Sequence, residues 1–251
     1  MNILTMNSEN LVEEINYQIF LQGFSVIKDF FDPNDEIFLN LKNIHNDLKI
    51  DNKDNAYKGG VCKIFNNIRI KDTEKQTKIF NHWLSNSLIQ KVAQSNLDTS
   101  TFNIDIFQTL DTPLSEHIAQ SPHFDRIPTL KFVLYINDIN LERGPFFLSP
   151  GSHHWVNKKF PLPRPKHSNR EFFDNTRKLP QIILSKLVPI EGKAGQLIIF
   201  NTDCIHHQGK VKDGECRIFR AHFRDPNKYV TKDQNIILNK IERFKSKILG
   251  N

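Results

Sequence analysis

The sequence predicts a mainly-β protein, a sandwich or barrel of short strands, with helices packed around it. Three observations point there. From Thr101 onward, short β-type runs are divided by Pro, Gly, Asn and Asp. The first third instead carries apolar residues at helical spacing. The 251 residues are 38% hydrophobic and 25% charged, a soluble composition long enough to bury a sizeable core.

The elements follow in order. Ser8 is placed as an N-cap ahead of Leu11, Val12, Ile15 and Ile19, and Gly23 closes that helix. Phe24-Ser25-Val26-Ile27 alternates like a strand, and Asp32-Pro33 opens a second helix with Ile37, Phe38, Leu41, Ile44 and Leu48 on its apolar side. A polar loop spans Asp51 to Lys58, and a third helical region from about Thr73 to Ala93 places Ile79, Trp83, Leu84, Leu88 and Val92 on one side. The β-type runs are Phe102–Leu110, Leu130–Ile136, Phe146–Leu148, Ile182–Ile190, Leu197–Phe200 and Cys216–Phe223. Lys158–Asn175, with three prolines among basic residues, reads as a long surface loop, and Lys232–Leu249 as a basic amphipathic helix packed on the outside.

Composition narrows the function classes. The longest apolar run, Phe132 to Ile136, is far short of the ~20 residues of a membrane span. Three cysteines without a CxxC pair and a start lacking the features of a secretory signal place the chain in the cytoplasm with reduced thiols. A net charge of +6 suits anionic partners, but no aromatic–basic surface favours nucleic acid.

The chemistry gathers around Ser121-Pro122-His123-Phe124-Asp125. In an extended chain His123 and Asp125 share a face and can hold one metal ion. A third ligand is available where the apolar strand from Gly195 runs out to His206-His207-Gln208-Gly209. Two histidines and one carboxylate form the facial triad of non-haem Fe(II) oxygenases. Arg217 and Arg220 lie 11 and 14 residues beyond His206; three apart on a strand, they face opposite ways, so only one can grip the far carboxylate of a dicarboxylic cosubstrate.

Four blocks together resemble the phytanoyl-CoA dioxygenase family of Fe(II)/2-oxoglutarate-dependent oxygenases: Gly23–Ile27 after a helix; His123-Phe124-Asp125; Asn137-Asp138 with Gly144-Pro145 leading into Pro150-Gly151-Ser152-His153; and Gly195–Gly209 with Arg217. The resemblance covers about residues 10 to 225. It implies a double-stranded β-helix, a jelly-roll core of cupin-like type over about 101–225, within one domain that also holds a helical region over about 1–100 and a C-terminal helix at about 230–249. It places Fe(II) on His123, Asp125 and His206, with His207 beside the site, and 2-oxoglutarate on Arg217. O2 is the co-reactant. Lys131, Gln108 and Gln208 are further cosubstrate candidates, the first two because their strands pass the pocket and the third because, two residues after His206, the family often supplies a small or polar group near the cosubstrate. Since Asp125 is present, the halogenating variant of the family, which has a small residue there, is disfavoured.

The expected reaction is hydroxylation of an unactivated C–H in a small, anionic or carrier-bound metabolite, releasing succinate and CO2. The alternatives are a nucleic-acid demethylase using the same chemistry and a non-catalytic cupin-like binding module. His153 and His154 are read as structural, and a zinc site at Cys204, His206 and Cys216 lacks the second ligand pair that structural zinc requires. The sequence leaves the oligomeric state and the substrate open.

Overall fold

A computed structural model describes residues 8–50, 56–66, 75–116, 120–125, 127–162 and 179–226. The expected C-terminal helix and most of the proline-rich loop lie outside them. The elements run α1 (Ser8–Gln22), β1 (Phe24–Ile27), α2 (Glu36–Asn46), β2 (Ala56–Tyr57), β3 (Gly60–Phe65), α3 (Lys75–Leu84), α4 (Ser87–Leu97), β4 (Asn103–Asp111), β5 (Leu130–Tyr135), β6 (Phe146–Leu148), α5 (Ser152–Lys159), α6 (Gln181–Leu184), β7 (Val188–Ile190), β8 (Leu197–Asn201), β9 (His206–Gln208) and β10 (Cys216–Arg224).

Seven strands form one antiparallel sheet in the order β1-β8-β5-β10-β4-β3-β2, and three form a second, β7-β6-β9. This is the jelly-roll arrangement of two facing sheets. The centre of the large sheet is buried on both sides, which explains why β5 is an almost unbroken apolar run. Alternation along each strand divides its residues between two cores. Phe132, Leu134, Ile199, Phe219, Ala221, Phe223, Ile104 and Ile106 pack against the helices, among them Ile15, Phe38, Trp83 and Val92. Val133, Tyr135, Ile198, Phe200 and Ile218 face the small sheet, meeting Phe146 and Leu148.

Local sequence explains the element ends. Gly23 at φ +91° lets the chain leave α1 directly into β1. An alanine there would put its Cβ 2.8 Å from the His153 ring. The Asp35 carboxylate caps α2 at the Ile37 amide, so this helix begins three residues after Asp32-Pro33. The third helical region is two helices rather than one: Asn86 accepts from the Leu88 amide and starts α4 afresh. The run Ile182–Ile190 is only partly strand, because Pro180 initiates the helical turn α6 before β7. Gly151 at φ +73° turns the chain into α5, where the basic loop was expected to begin at Lys158.

Candidate active site

The HxD segment is pinned edge to edge against β9. The His123 amide donates to the His206 carbonyl (3.0 Å) and the His206 amide to the His123 carbonyl (2.8 Å), while the Asp125 amide donates to the Thr202 carbonyl (3.0 Å). Thr202 is held in turn by its hydroxyl, which accepts from the Thr129 amide (2.8 Å). These bonds bring three side chains from separate parts of the chain together: ligand atoms of His123, Asp125 and His206 lie within 4.8 Å of one another. The Asp125 Oδ1 is 3.8 Å from His123 Nε2 and 3.7 Å from His206 Nε2.

The donor chemistry fits a divalent metal. Nδ1–H of His123 donates to the Ser121 carbonyl (2.7 Å), and Nδ1–H of His206 to the Cys204 carbonyl (2.8 Å). A carbonyl can only accept, so both rings must carry their proton on Nδ1. The Nε2 lone pairs are thereby aimed at the shared point. Burial pushes both imidazoles below their usual range, His206 furthest, with neighbouring positive charge from Lys131 adding to the effect. Burial by itself would raise Asp125, but the Lys131 ammonium 2.7 Å from Oδ2 overrides it and holds the carboxyl far below its usual range. Neutral rings beside an ionised carboxylate are the protonation states that ligation needs. Lys131 occupies Oδ2 and leaves Oδ1 facing the histidines.

His207 is excluded from this group by strand alternation. Its ring stacks on Phe147 (4.6 Å between centroids, 6° between planes) on the other face of β9. Gln208 returns to the interior, where its amide donates to Asp111 Oδ2 (2.6 Å) at the far end of the barrel from Arg224. Among the described residues Cys204 belongs to no ligand cluster; burial pushes its thiol up to about 12.

Two expected cosubstrate residues are turned away from the barrel interior. Gln108 lies on the face of β4 that carries Ile104 and Ile106, and its amide donates to the Ile44 carbonyl of α2 (3.0 Å). Arg217 shares the helix-facing side of β10 with Phe219, Ala221 and Phe223. Its Nε donates to Glu215 (2.7 Å) and its Nη1 to the His45 carbonyl at the end of α2 (3.1 Å). Neither side chain reaches the metal triad.

The interior side of β10 instead presents Ile218, Arg220 and His222. Arg220 donates from Nη2 to the Thr109 hydroxyl (3.1 Å) and lies over the Phe107 ring (5.4 Å). Its Nε is buried without a partner, and among the described residues it has no carboxylate partner. His222 stacks on Phe107 (4.2 Å, 28°), and its Nε2 is also buried without a partner. Thr109, Phe107 and His222 were not anticipated. The parity of β10 was the available signal: Arg217 falls in step with Phe219, Ala221 and Phe223, an apolar set that must face the helices.

Comparison with known proteins agrees with this fold. The family model for phytanoyl-CoA dioxygenase matches residues 20–219. Similar solved structures include the epimerase SnoN in complex with Fe3+, alpha ketoglutarate and nogalamycin RO (TM-score 0.62, 14% identity, covering 86% of this chain and 84% of that one). Another is HygX from Streptomyces hygroscopicus with nickel and 2-oxoglutarate bound (0.56, 13%, 85% and 87%). A third is the alpha ketoglutarate dependent carbocyclase SnoK from nogalamycin biosynthesis (0.53, 15%, 88% and 86%). At these identities the likeness is one of fold. No curated protein matches the chain.

Proposed function

The chain belongs to the phytanoyl-CoA dioxygenase family and is a 2-oxoglutarate-dependent oxygenase; from that premise we propose that His123, Asp125 and His206 hold its Fe(II) and that Arg220 anchors the far carboxylate of 2-oxoglutarate. The observation that carries the second assignment is the buried, unpartnered Nε of Arg220 on the same interior wall as Lys131. Buried polar groups are almost always hydrogen-bonded, and a guanidinium without an acid beside it calls for an anionic ligand.

Bound Fe(II) and 2-oxoglutarate supply O2 activation coupled to loss of CO2 and formation of succinate. The protein's own groups prepare that chemistry. The Ser121 and Cys204 carbonyls fix the two imidazole tautomers, and Lys131 keeps Asp125 ionised and turned to ligate through Oδ1. Solvent is kept from the inner side, where His206 is 2% exposed, while Asp125 at 25% leaves the outer side open to reactants.

The substrate is a small molecule, and the reaction hydroxylation of one of its unactivated C–H bonds. An anionic substrate is supported by the net charge of +6. The similar folds of an epimerase and a carbocyclase make the product the point to test. Candidate metabolites should be screened for succinate release and the products weighed. Gain of one oxygen atom supports hydroxylation; an unchanged mass or loss of two hydrogens replaces it with epimerisation or ring closure.

A further inference from the structure

We infer that His222 is a positioning residue for the cosubstrate, its Nε2–H donating to the metal-bound end of 2-oxoglutarate while Arg220 holds the other end. The inference rests on the assignment of 2-oxoglutarate to Arg220 above. Three observations place His222 there.

His222 and Arg220 are two residues apart on one strand and therefore share the interior face. Two residues of strand span about 7 Å, the reach of a five-carbon diacid. A diacid anchored at Arg220 and lying along β10 thus brings its other carboxylate level with His222. That level is also the metal's. His222 is the direct cross-strand partner of Lys131, whose ammonium is 2.7 Å from Asp125 and 3.5 Å from His206.

The imidazole is also held as a donor would be. Phe107 stacks against its face and fixes the ring plane. Nε2 is buried, and no group of the described residues satisfies it. Burial, with Lys131 and Arg220 nearby, keeps the ring neutral against the opposing pull of Asp125, whose charge Lys131 already pairs. Arg220 Nε and His222 Nε2 are thus two orphaned nitrogens on one wall, and one dicarboxylate satisfies both. Asp105, the direct β4 partner of His222, is paired with Arg224 at the next interior position of β10.

The test is anaerobic titration of the Fe(II)-loaded protein with 2-oxoglutarate, following the visible charge-transfer band of the chelate, in the parent and in H222F, H222Q and H222N. Phenylalanine keeps the stack on Phe107 but has no donor. It should weaken 2-oxoglutarate by about ten- to a hundred-fold and shift the band, because the lost bond is to the chelating carboxylate. Glutamine, which can put an amide nitrogen near the Nε2 position, should restore most of the affinity; asparagine, whose nitrogen falls at the Nδ1 position, should not. Fe(II) affinity should be unchanged throughout. Parent-like affinity and band in H222F, or equal binding by H222Q and H222N should H222F fail to fold, would overturn the inference. Absence of any band in the parent would instead sink the cosubstrate assignment itself.

Discussion

Strand β10 carries two arginines three residues apart, and they stand in opposite environments. Arg217 faces the helices, where Glu215 and the carbonyl end of α2 already occupy its guanidinium. Arg220 faces the barrel, its Nη2 shared between the Thr109 hydroxyl and the Cys62 sulfur, with a buried Nε that has no partner. The difference shows how one strand serves structure on one side and ligand binding on the other. A guanidinium whose donors are satisfied by the protein fastens elements together; one left short of an acceptor in a buried wall is available to an anion.

That contrast can be broken at several points. The largest effect belongs to the triad beyond Arg220: D125A should lower Fe(II) affinity by more than the roughly 10–100-fold typical of residues that only support a ligand, measured by equilibrium metal binding. R220A should keep Fe(II) yet weaken 2-oxoglutarate by about 100-fold, the scale of a lost charge-assisted pair. R217A should leave both ligands bound within about twofold and instead lower stability by about 1–2 kcal/mol, seen as a smaller urea midpoint, because α2 loses its tie to β10. Loss of 2-oxoglutarate in R217A would reverse the two roles.

The last effect is on pH. Burial, with Arg217 beside it, lowers His45 from 6.5 to about 4. Below about pH 6.5 the unfolded chain therefore takes up a proton that the folded ring refuses until about pH 4. The contribution is whole above pH 6.5 and falls with pH by about 1.4 kcal/mol per unit across that window. His206 and His222 act in the same direction. Urea unfolding at pH 7.5 and 5 should show the loss, with a gentler slope in H45Q.

The triad and the β-rich core were legible because they rest on local chemistry. His123-x-Asp125 shares a face by simple alternation, and an apolar strand leading into His206 supplies the third ligand. The split between α3 and α4 was hidden because helical periodicity continues across Ser85-Asn86, and only the cap at Asn86 breaks it. Arg217 was carried over from the family pattern of a distal His-x-x-Gly followed by Arg, without regard to strand face. Gln108 failed for the same reason: its parity with Ile104 and Ile106 commits it to the helix layer. Lys131 needed the fold, since its partner Asp125 stands outside its own strand.

The most direct measurement is the anaerobic charge-transfer titration with Fe(II) and 2-oxoglutarate on three proteins side by side: the parent, R217A and R220A. The account predicts a saturable band in the parent and in R217A at similar cosubstrate concentrations, and its loss in R220A while Fe(II) stays bound. A band that survives in R220A and disappears in R217A would contradict it.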